Sequence, residues 1–441
     1  MIPWWLLAVA VFGTNFTVWG VVGLLRLLDS SATRWRRHRA PAPGRHHLRG
    51  APPVDVTDVA VLIPAHNEEA VIVGSIRAIA ELVPRANVHV VSDGSTDRTV
   101  ELAEHCGVNV ISTHRNVGKA GALQEAIHRF DLVRRFRVVM LLDADTQVRP
   151  GYFRAALPLF DDPRVVAVAG CVTTSWRGRG LGPVGKLVAF HRQRIYTMTQ
   201  YLLKFGQTWR RCNATHIVPG FASLYRTDVL PHIDLNPPGL VIEDFNMTFE
   251  VYQKRLGKVG FTPAAVAATQ DPGTLRDYVR QCRRWSLGLW QTVRLHPPRP
   301  NLFTAALGLL LVELLTSSMM LVLLPFTALA LLVPQLWPDL RAAPVVGDVH
   351  TAVASHLTPE ALLFGVLVPD LLLTCVVAVA LRQPRFLLFA GLFLALRVLD
   401  AAIALHALPS AWTRSSGVWR SPGRRAVDDP SCTDRTEVSR S

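Results

Sequence analysis

The chain lacks any pairing among its cysteines. The six of them, at positions 106, 171, 212, 282, 375 and 432, are scattered singly, with no CxxC and no metal spacing. A disulfide framework and a thiolate metal site are both excluded as expectations, and the thiols read as reduced residues in a cytosolic setting. Acidic residues are also short: 33 Asp and Glu stand against 47 Lys and Arg, for a formal charge of +14. Such charge has two common origins, nucleic-acid binding and basic loops facing an anionic membrane leaflet. No nucleic-acid module motif accompanies it, so nucleic acid is not an expected partner. No internal repeat is visible. No small-residue cleavage site follows the apolar N-terminal run, which argues against a signal peptide.

Apolar residues are abundant instead. Half the chain is hydrophobic and the mean hydropathy is +0.25, high for a soluble enzyme. Residues Ile2 to Leu28 form an apolar run broken only by Arg26, long enough for a bilayer crossing of about 20 residues. Arg34, Arg36, Arg37, His38, Arg39, Arg45, His46, His47 and Arg49 follow it. By the positive-inside rule the N-terminus is external and the chain after Arg34 cytoplasmic. Residues 1–29 therefore read as a transmembrane helix, and 30–57, with Pro41, Pro43, Pro52 and Pro53, as a basic, Pro-rich linker. Residues 58–300 read as a cytoplasmic α/β domain, 301–410 as a membrane region and 411–441 as a basic tail. The expected location is the plasma membrane, with several passes.

From Val59 to about Ala169 strand and helix signals alternate. Strands are expected at 59–63, 88–91, 108–112, 138–142 and 165–169, and helices at 69–82, 97–104 and 119–130. This alternation argues a mostly parallel sheet with helices on both faces. Strand one runs into Pro64-Ala-His-Asn-Glu-Glu69, and strand two into Ser92-Asp93-Gly94-Ser95-Thr96-Asp97. Strand three leads to Arg115-Asn-Val-Gly118-Lys119-Ala-Gly121. Strand four ends at Asp143-Ala-Asp145. All four polar ends fall on the edge where open α/β sheets bind ligands. Asp, Gly and Ser are turn formers anyway, which explains any one of these ends but explains four together poorly.

Asp143 and Asp145, at i and i+2, project to one face if the strand continues through them. Two adjacent carboxylates repel unless a cation lies between them, and hard oxygen ligands suit Mg²⁺ or Mn²⁺ holding substrate phosphates. The alternative is a solvated turn. Farther on come Pro219-Gly220-Phe221-Ala222-Ser223, then Val241-Ile242-Glu243-Asp244 ahead of a helical segment from 245 to 256. Asp244 reads as the N-cap of that helix, or as a catalytic carboxylate. Gln281, Arg284 and Trp285 read as one face of an amphipathic helix at a membrane surface, with Arg284 equally able to fork onto a phosphate.

Beyond Asn301 the apolar stretches resume, at 302–337, 361–381 and 386–408. The stretch 302–337 is interrupted by Glu313, Pro325 and Pro334. Arg382, Arg385 and the tail look cytoplasmic, whereas 338–360 looks external. Three simple crossings would leave the tail outside. Either 302–337 makes two short passes, or one segment is re-entrant or interfacial.

In order, these motifs resemble the processive branch of the inverting family 2 glycosyltransferases. That branch includes cellulose, hyaluronan, chitin-oligosaccharide and poly-N-acetylglucosamine synthases. The resemblance covers about residues 55–295 and the membrane segments in arrangement. It implies a GT-A fold, a UDP-sugar donor, a polysaccharide acceptor, Mg²⁺ or Mn²⁺, and a product passed across the bilayer. Asp93 would read the uridine, with Pro64, His66 and Glu68 nearby and Lys119 beside the nucleotide–sugar pocket. Asp143 and Asp145 would serve metal and diphosphate, and Asp244 would be the base. Glu243, Gln281, Arg284 and Trp285 would attend the diphosphate and acceptor.

Departures exist. Ile242 stands where the family has Thr, His66 replaces a common aromatic, and the turn Gly220-Phe-Ala-Ser lacks the cysteine of cellulose synthases. No cyclic-dinucleotide domain follows the membrane region. An amino-sugar polymer, with UDP-N-acetylglucosamine as donor, is the better expectation, and the few helices leave room for a small partner subunit. The alternative is addition of one sugar to a membrane lipid, as in ceramide glucosyltransferases with a similar Gln-x-x-Arg-Trp motif.

Overall fold

A computed structural model describes residues 1–39, 52–175 and 181–413, with the backbone alone for 32–39. Residues 40–51 of the basic linker, Cys432 and the tail from residue 414 lie outside the described residues. The chain forms two compact units. Among the described residues, one gathers 1–39, Lys186–His216 and 278–413, and the other 52–175, 181–185 and Ile217–Asp277. Within the stretch expected as 58–300, Lys186–His216 and 278–300 pack with the helices.

The second unit is built on an eight-stranded sheet. Its strands are β1 (Val59–Ala65), β2 (Val88–Ser92), β3 (Asn109–Ser112), β4 (Val138–Leu142), β5 (Gln147–Val148), β6 (Val165–Thr174), β7 (Ala222–Arg226) and β8 (Lys258–Thr269). The order across the sheet is β3-β2-β1-β4-β7-β6-β8-β5. Every residue of β1, β2 and β4 is buried, and such continuous apolar runs are what a sheet covered on both faces requires. The helix Ile72–Ala80 meets it with Ile72, Ile76 and Ile79, all buried. This i, i+4, i+7 spacing makes one stripe, and each side chain contributes about 1.5–3 kcal/mol of burial.

The strands β3, β2, β1 and β4 are parallel, as expected. The mostly parallel sheet needs one correction. β7 runs antiparallel between β4 and β6, and β5 is antiparallel on β8. β7 reads in sequence only as the end of a glycine turn, because Ala-Ser-Leu-Tyr-Arg is short and carries little apolar pattern. Its Ser223 is nonetheless buried, satisfied by donating to the Pro219 carbonyl at 2.6 Å. The β8–β6 register shifts between Phe261 and Val266, around Pro263, which has no N–H to give the ladder.

In the helical unit the N-terminal run is not one straight crossing. Helices Trp4–Phe12 and Thr14–Arg39 meet at Gly13, whose φ is +98°, and the apolar pair is bent by 66°. Glu313 explains the break. Its Oε2 accepts from the Asn15 backbone N–H at 2.7 Å and side-chain Nδ2 at 2.9 Å, capping the start of the second helix. A Cβ on Gly13 would lie 2.6 Å from Glu313 Oε1, so only glycine fits both the φ and the space.

Leu302–Leu336 is one 35-residue helix despite Pro325 and Pro334, so the two short passes are not formed. The expected external loop holds the helix Pro344–Ala354. Leu302–Leu336, Pro359–Ala380 and Pro384–Thr413 are each long and apolar enough to cross a membrane, and the bent N-terminal pair makes a fourth if counted as one span. Buried Asp370 is paired, as burial away from water demands. Asp370 Oδ1 accepts from Arg194 and from Arg397, each at 2.7 Å.

Candidate active site

The ends of β1, β2 and β3 are laced together. The Asn67 backbone N–H donates to Ser95 Oγ at 3.1 Å, and Asn67 Oδ1 accepts from the Thr96 N–H at 2.8 Å. Buried Glu68 donates its backbone N–H to Thr99 Oγ1 at 2.8 Å. His66 Nδ1 lies 2.7 Å from the Asp93 carbonyl, and its Nε2 lies 3.3 Å from Asn116 Nδ2. Asp93 itself is fully buried. Its carboxylate accepts from the Val117 N–H at 2.8 Å, the Gly118 N–H at 2.9 Å and Thr113 Oγ1 at 3.1 Å. In this conformation Asp93 fixes the loop that delivers Lys119. Thr113 and Asn116 share that work, and sequence reading passed over both because nothing marks a loop polar residue as internally bonded.

The helix Gly118–Arg129 begins directly after that loop, which puts Lys119 in its first turn. Lys119 Nζ lies 2.8 Å from Asp143 Oδ1 and 2.8 Å from Glu243 Oε1. Burial alone would lower its pKa, but the two carboxylates prevail and raise it, so it is a fixed cation. Asp143 is held at the end of β4 by its N–H, which donates to the Phe221 carbonyl at 3.0 Å. Asp145 is more buried and lies 3.3 Å from Thr146 Oγ1 and 3.4 Å from Thr269 Oγ1.

Glu243 and Asp244 open the helix Glu243–Gln253, and Ile242 is its N-cap residue. Asp244 is therefore inside the first turn, and the expectation that it caps the helix is corrected. Its Oδ1 accepts from the Phe245 N–H at 2.8 Å and its Oδ2 from the Gly220 N–H at 3.3 Å. Burial first, and then the neighbouring Glu243 charge, push its pKa up from 3.8 to about 6, against the pull of Lys119 and the two N–H groups. Gly220 is there for space. A Cβ on it would come 3.0 Å from Lys119 Nζ and 3.3 Å from Glu243 Oε1. The structure thus brings together Lys119, Asp143, Glu243 and Asp244 from three separate stretches of sequence.

These motifs and this sheet have a match. Residues 56–288 fit the family described as Glycosyltransferase like family 2. The chain belongs to that family. It is a glycosyltransferase that uses a nucleotide sugar, and its mixed α/β sheet is of the GT-A kind. No curated protein matches the chain. Among solved structures, a mannosyltransferase from Pyrobaculum calidifontis, in complex with GDP-Man and Mn²⁺, is 19% identical, with 91% of this chain and 99% of that one covered and a TM-score of 0.48. A glucosyl-3-phosphoglycerate synthase from Mycobacterium tuberculosis is also 19% identical, with 55% and 85% covered and a TM-score of 0.37.

Gln281, Arg284 and Trp285 lie on the helix Leu275–Leu295, in the helical unit. Gln281 and Trp285 gather there around Arg192, whose Nη2 donates to Gln281 Oε1 at 3.0 Å. Nothing in the sequence singled Arg192 out.

Proposed function

We propose that this glycosyltransferase is a multi-pass membrane enzyme that inverts configuration at the anomeric carbon of a UDP-sugar and extends a polysaccharide. UDP-N-acetylglucosamine is the donor in this reading, chosen because the chain departs from the cellulose synthase pattern and has few membrane helices, and export of the product accompanies elongation. The observation that carries the reading is the half-buried Asp244 carboxylate, raised to about 6 beside the Lys119–Asp143–Glu243 cluster. Such a carboxylate is ionised at neutral pH yet a better proton acceptor than a solvated one.

Asp244 takes the proton of the acceptor hydroxyl, whose oxygen bonds to the anomeric carbon as the bond from that carbon to the diphosphate breaks. The electron pair leaves with UDP. Asp93 and the turn carrying Pro64, His66 and Glu68 frame the uridine side, and Lys119 orders Asp143 and Glu243. Arg284 attends the diphosphate, and Trp285 offers the acceptor sugar a flat apolar face.

Asp143 and Asp145 are the carboxylates that would hold a divalent ion, in hard-oxygen chemistry suited to Mg²⁺ or Mn²⁺. Among the described residues no three His, Cys, Asp or Glu side chains are grouped to cage one, and Mg²⁺ or Mn²⁺ needs only one or two carboxylates when phosphates and water complete its shell. Such an ion supplies charge neutralisation for the departing diphosphate. The apolar helices support membrane association; in this reading the catalytic unit lies on the cytoplasmic side of the plasma membrane and a small partner subunit completes the export path.

The test is release of the nucleoside diphosphate by purified protein in lipid, with Mn²⁺ and a panel of UDP- and GDP-sugars, and with products separated by size. A high-molecular-weight product from UDP-N-acetylglucosamine is expected. A product limited to one sugar on a lipid would replace polymer synthesis with glycolipid synthesis.

A further inference from the structure

The helix Pro183–Met198 carries four consecutive buried polar side chains, His191, Arg192, Gln193 and Arg194. Such residues are seldom fully buried without a partner to hold. Arg194 pairs with Asp370, and His191 Nε2 lies 3.0 Å from Asp400 Oδ2. Arg192 turns instead to the helix Leu275–Leu295. Its Nη2 donates to Gln281 Oε1 at 3.0 Å, its Nη1 lies 3.9 Å from Cys282 Sγ, and its guanidinium carbon sits 4.1 Å from the centre of the Trp285 ring. Tyr278 and Tyr196 flank the same guanidinium at 5.9 and 5.1 Å. Tyr278, Gln281, Cys282 and Trp285 follow i, i+3, i+4, i+7, so one cation touches a whole face of that helix.

We propose that Arg192 is the positioning residue for Gln281 and Trp285 during sugar transfer. Three physical features make it suited to that. A guanidinium is planar, so one group can stack on an indole and donate from its edge. An amide side chain can flip, and donation to Oε1 fixes which way Gln281 points, leaving its NH₂ as the donor end. An indole has two faces, and Arg192 occupies one, so a sugar would stack on the other. Lysine could supply the charge but not the plane or the fork.

This inference rests on the reading above in which Gln281 and Trp285 attend the acceptor end. The experiment is a double-mutant cycle of Arg192→Met and Trp285→Ala in the full chain in lipid, reading UDP release from UDP-N-acetylglucosamine, with ¹⁹F spectra of 5-fluorotryptophan-labelled protein. Arg192→Met is expected to lower kcat/KM about tenfold or more, with Arg192→Lys recovering little of it. In the Trp285→Ala background the same change should cost less than about threefold, because residues acting through one another are not additive. The ¹⁹F resonance that Trp285→Phe removes should shift in Arg192→Met.

Equal cost in both backgrounds would make Arg192 merely structural and overturn the proposal. An unmoved Trp285 resonance would overturn it independently of any activity. Full turnover by Trp285→Ala would instead bring down the acceptor role of Trp285, and a resonance that still moved would show that this reading, not the orientation by Arg192, had failed.

Discussion

Asp244 concentrates the chemistry in one side chain. A carboxylate whose folded pKa is raised to about 6 from 3.8 binds its proton more tightly in the native state than in the unfolded chain. Its stabilising contribution is therefore fully present below about pH 4 and is lost as pH rises through about 6. At pH 7.5 the charged group is a liability for folding and an asset for catalysis. Asp244→Asn should lower turnover by about 10²–10⁴-fold, the usual worth of a positioned base, while UDP binding by calorimetry is retained. The same variant should melt higher than the parent at pH 7.5. In the parent, kcat/KM should fall with a slope of one as pH drops below about 6. Unchanged turnover in the variant would remove Asp244 from the mechanism. The lysine beside it shows why type alone was not enough to read the site. Lys119 was legible as a conspicuous residue after Gly118, but its simultaneous grip on Asp143 and Glu243 joins positions 119, 143 and 243, and no local pattern encodes such a distance.

At the scale of elements, loops and helix starts do the positioning. The helix carrying Glu243 and Asp244 begins at Ile242 with no side-chain cap. Two acids in the first turn offset that by facing the positive end of the helix dipole. The turn after β2 depends on Gly94, whose φ is +62° and whose added Cβ would meet the Asn116 N at 2.8 Å and the Arg115 carbonyl carbon at 2.9 Å. Both objections are to backbone, which cannot swing aside. Gly94→Ala should destabilise the protein by about 1–3 kcal/mol, visible as a lower melting temperature. It should also weaken UDP binding, since the displaced loop carries the N–H groups that hold Asp93. Unaltered melting would mean that the loop is not braced there. The strands and helices from Val59 to Leu142 were legible because burial on both faces leaves β-branched runs, and helices leave a 3.6-residue stripe. β7 was not legible, since five residues in the middle of a sheet are set by their neighbours and not by their own composition.

At the scale of the whole molecule, a sheet unit holding the carboxylate cluster and a helical unit holding Arg192, Gln281 and Trp285 are each assembled from discontinuous stretches of chain. In the sheet unit, Asp143, Glu243 and Asp244 gather about the Lys119 ammonium and Asp145 follows Asp143 by two residues, an acidic setting hostile to a diphosphate unless a cation neutralises it. Removal of divalent ions with EDTA should reduce sugar transfer at least 100-fold, with Mn²⁺ or Mg²⁺ restoring it and Zn²⁺ or Ca²⁺ restoring less. Full activity in EDTA would refute the metal role of Asp143 and Asp145.

The sequence by itself determined the α/β alternation, the apolar helices and the ordered polar strand ends, because each is written in residues close together along the chain. Tertiary structure decided the rest. It bent the N-terminal run at Gly13 because Glu313, 300 residues away, caps the next helix. It placed β7 antiparallel between β4 and β6. It gathered one ammonium and three carboxylates from separate stretches, and set Arg192 against Trp285. Each of these is a contact between distant residues, and its energy exists only once the chain has closed on itself.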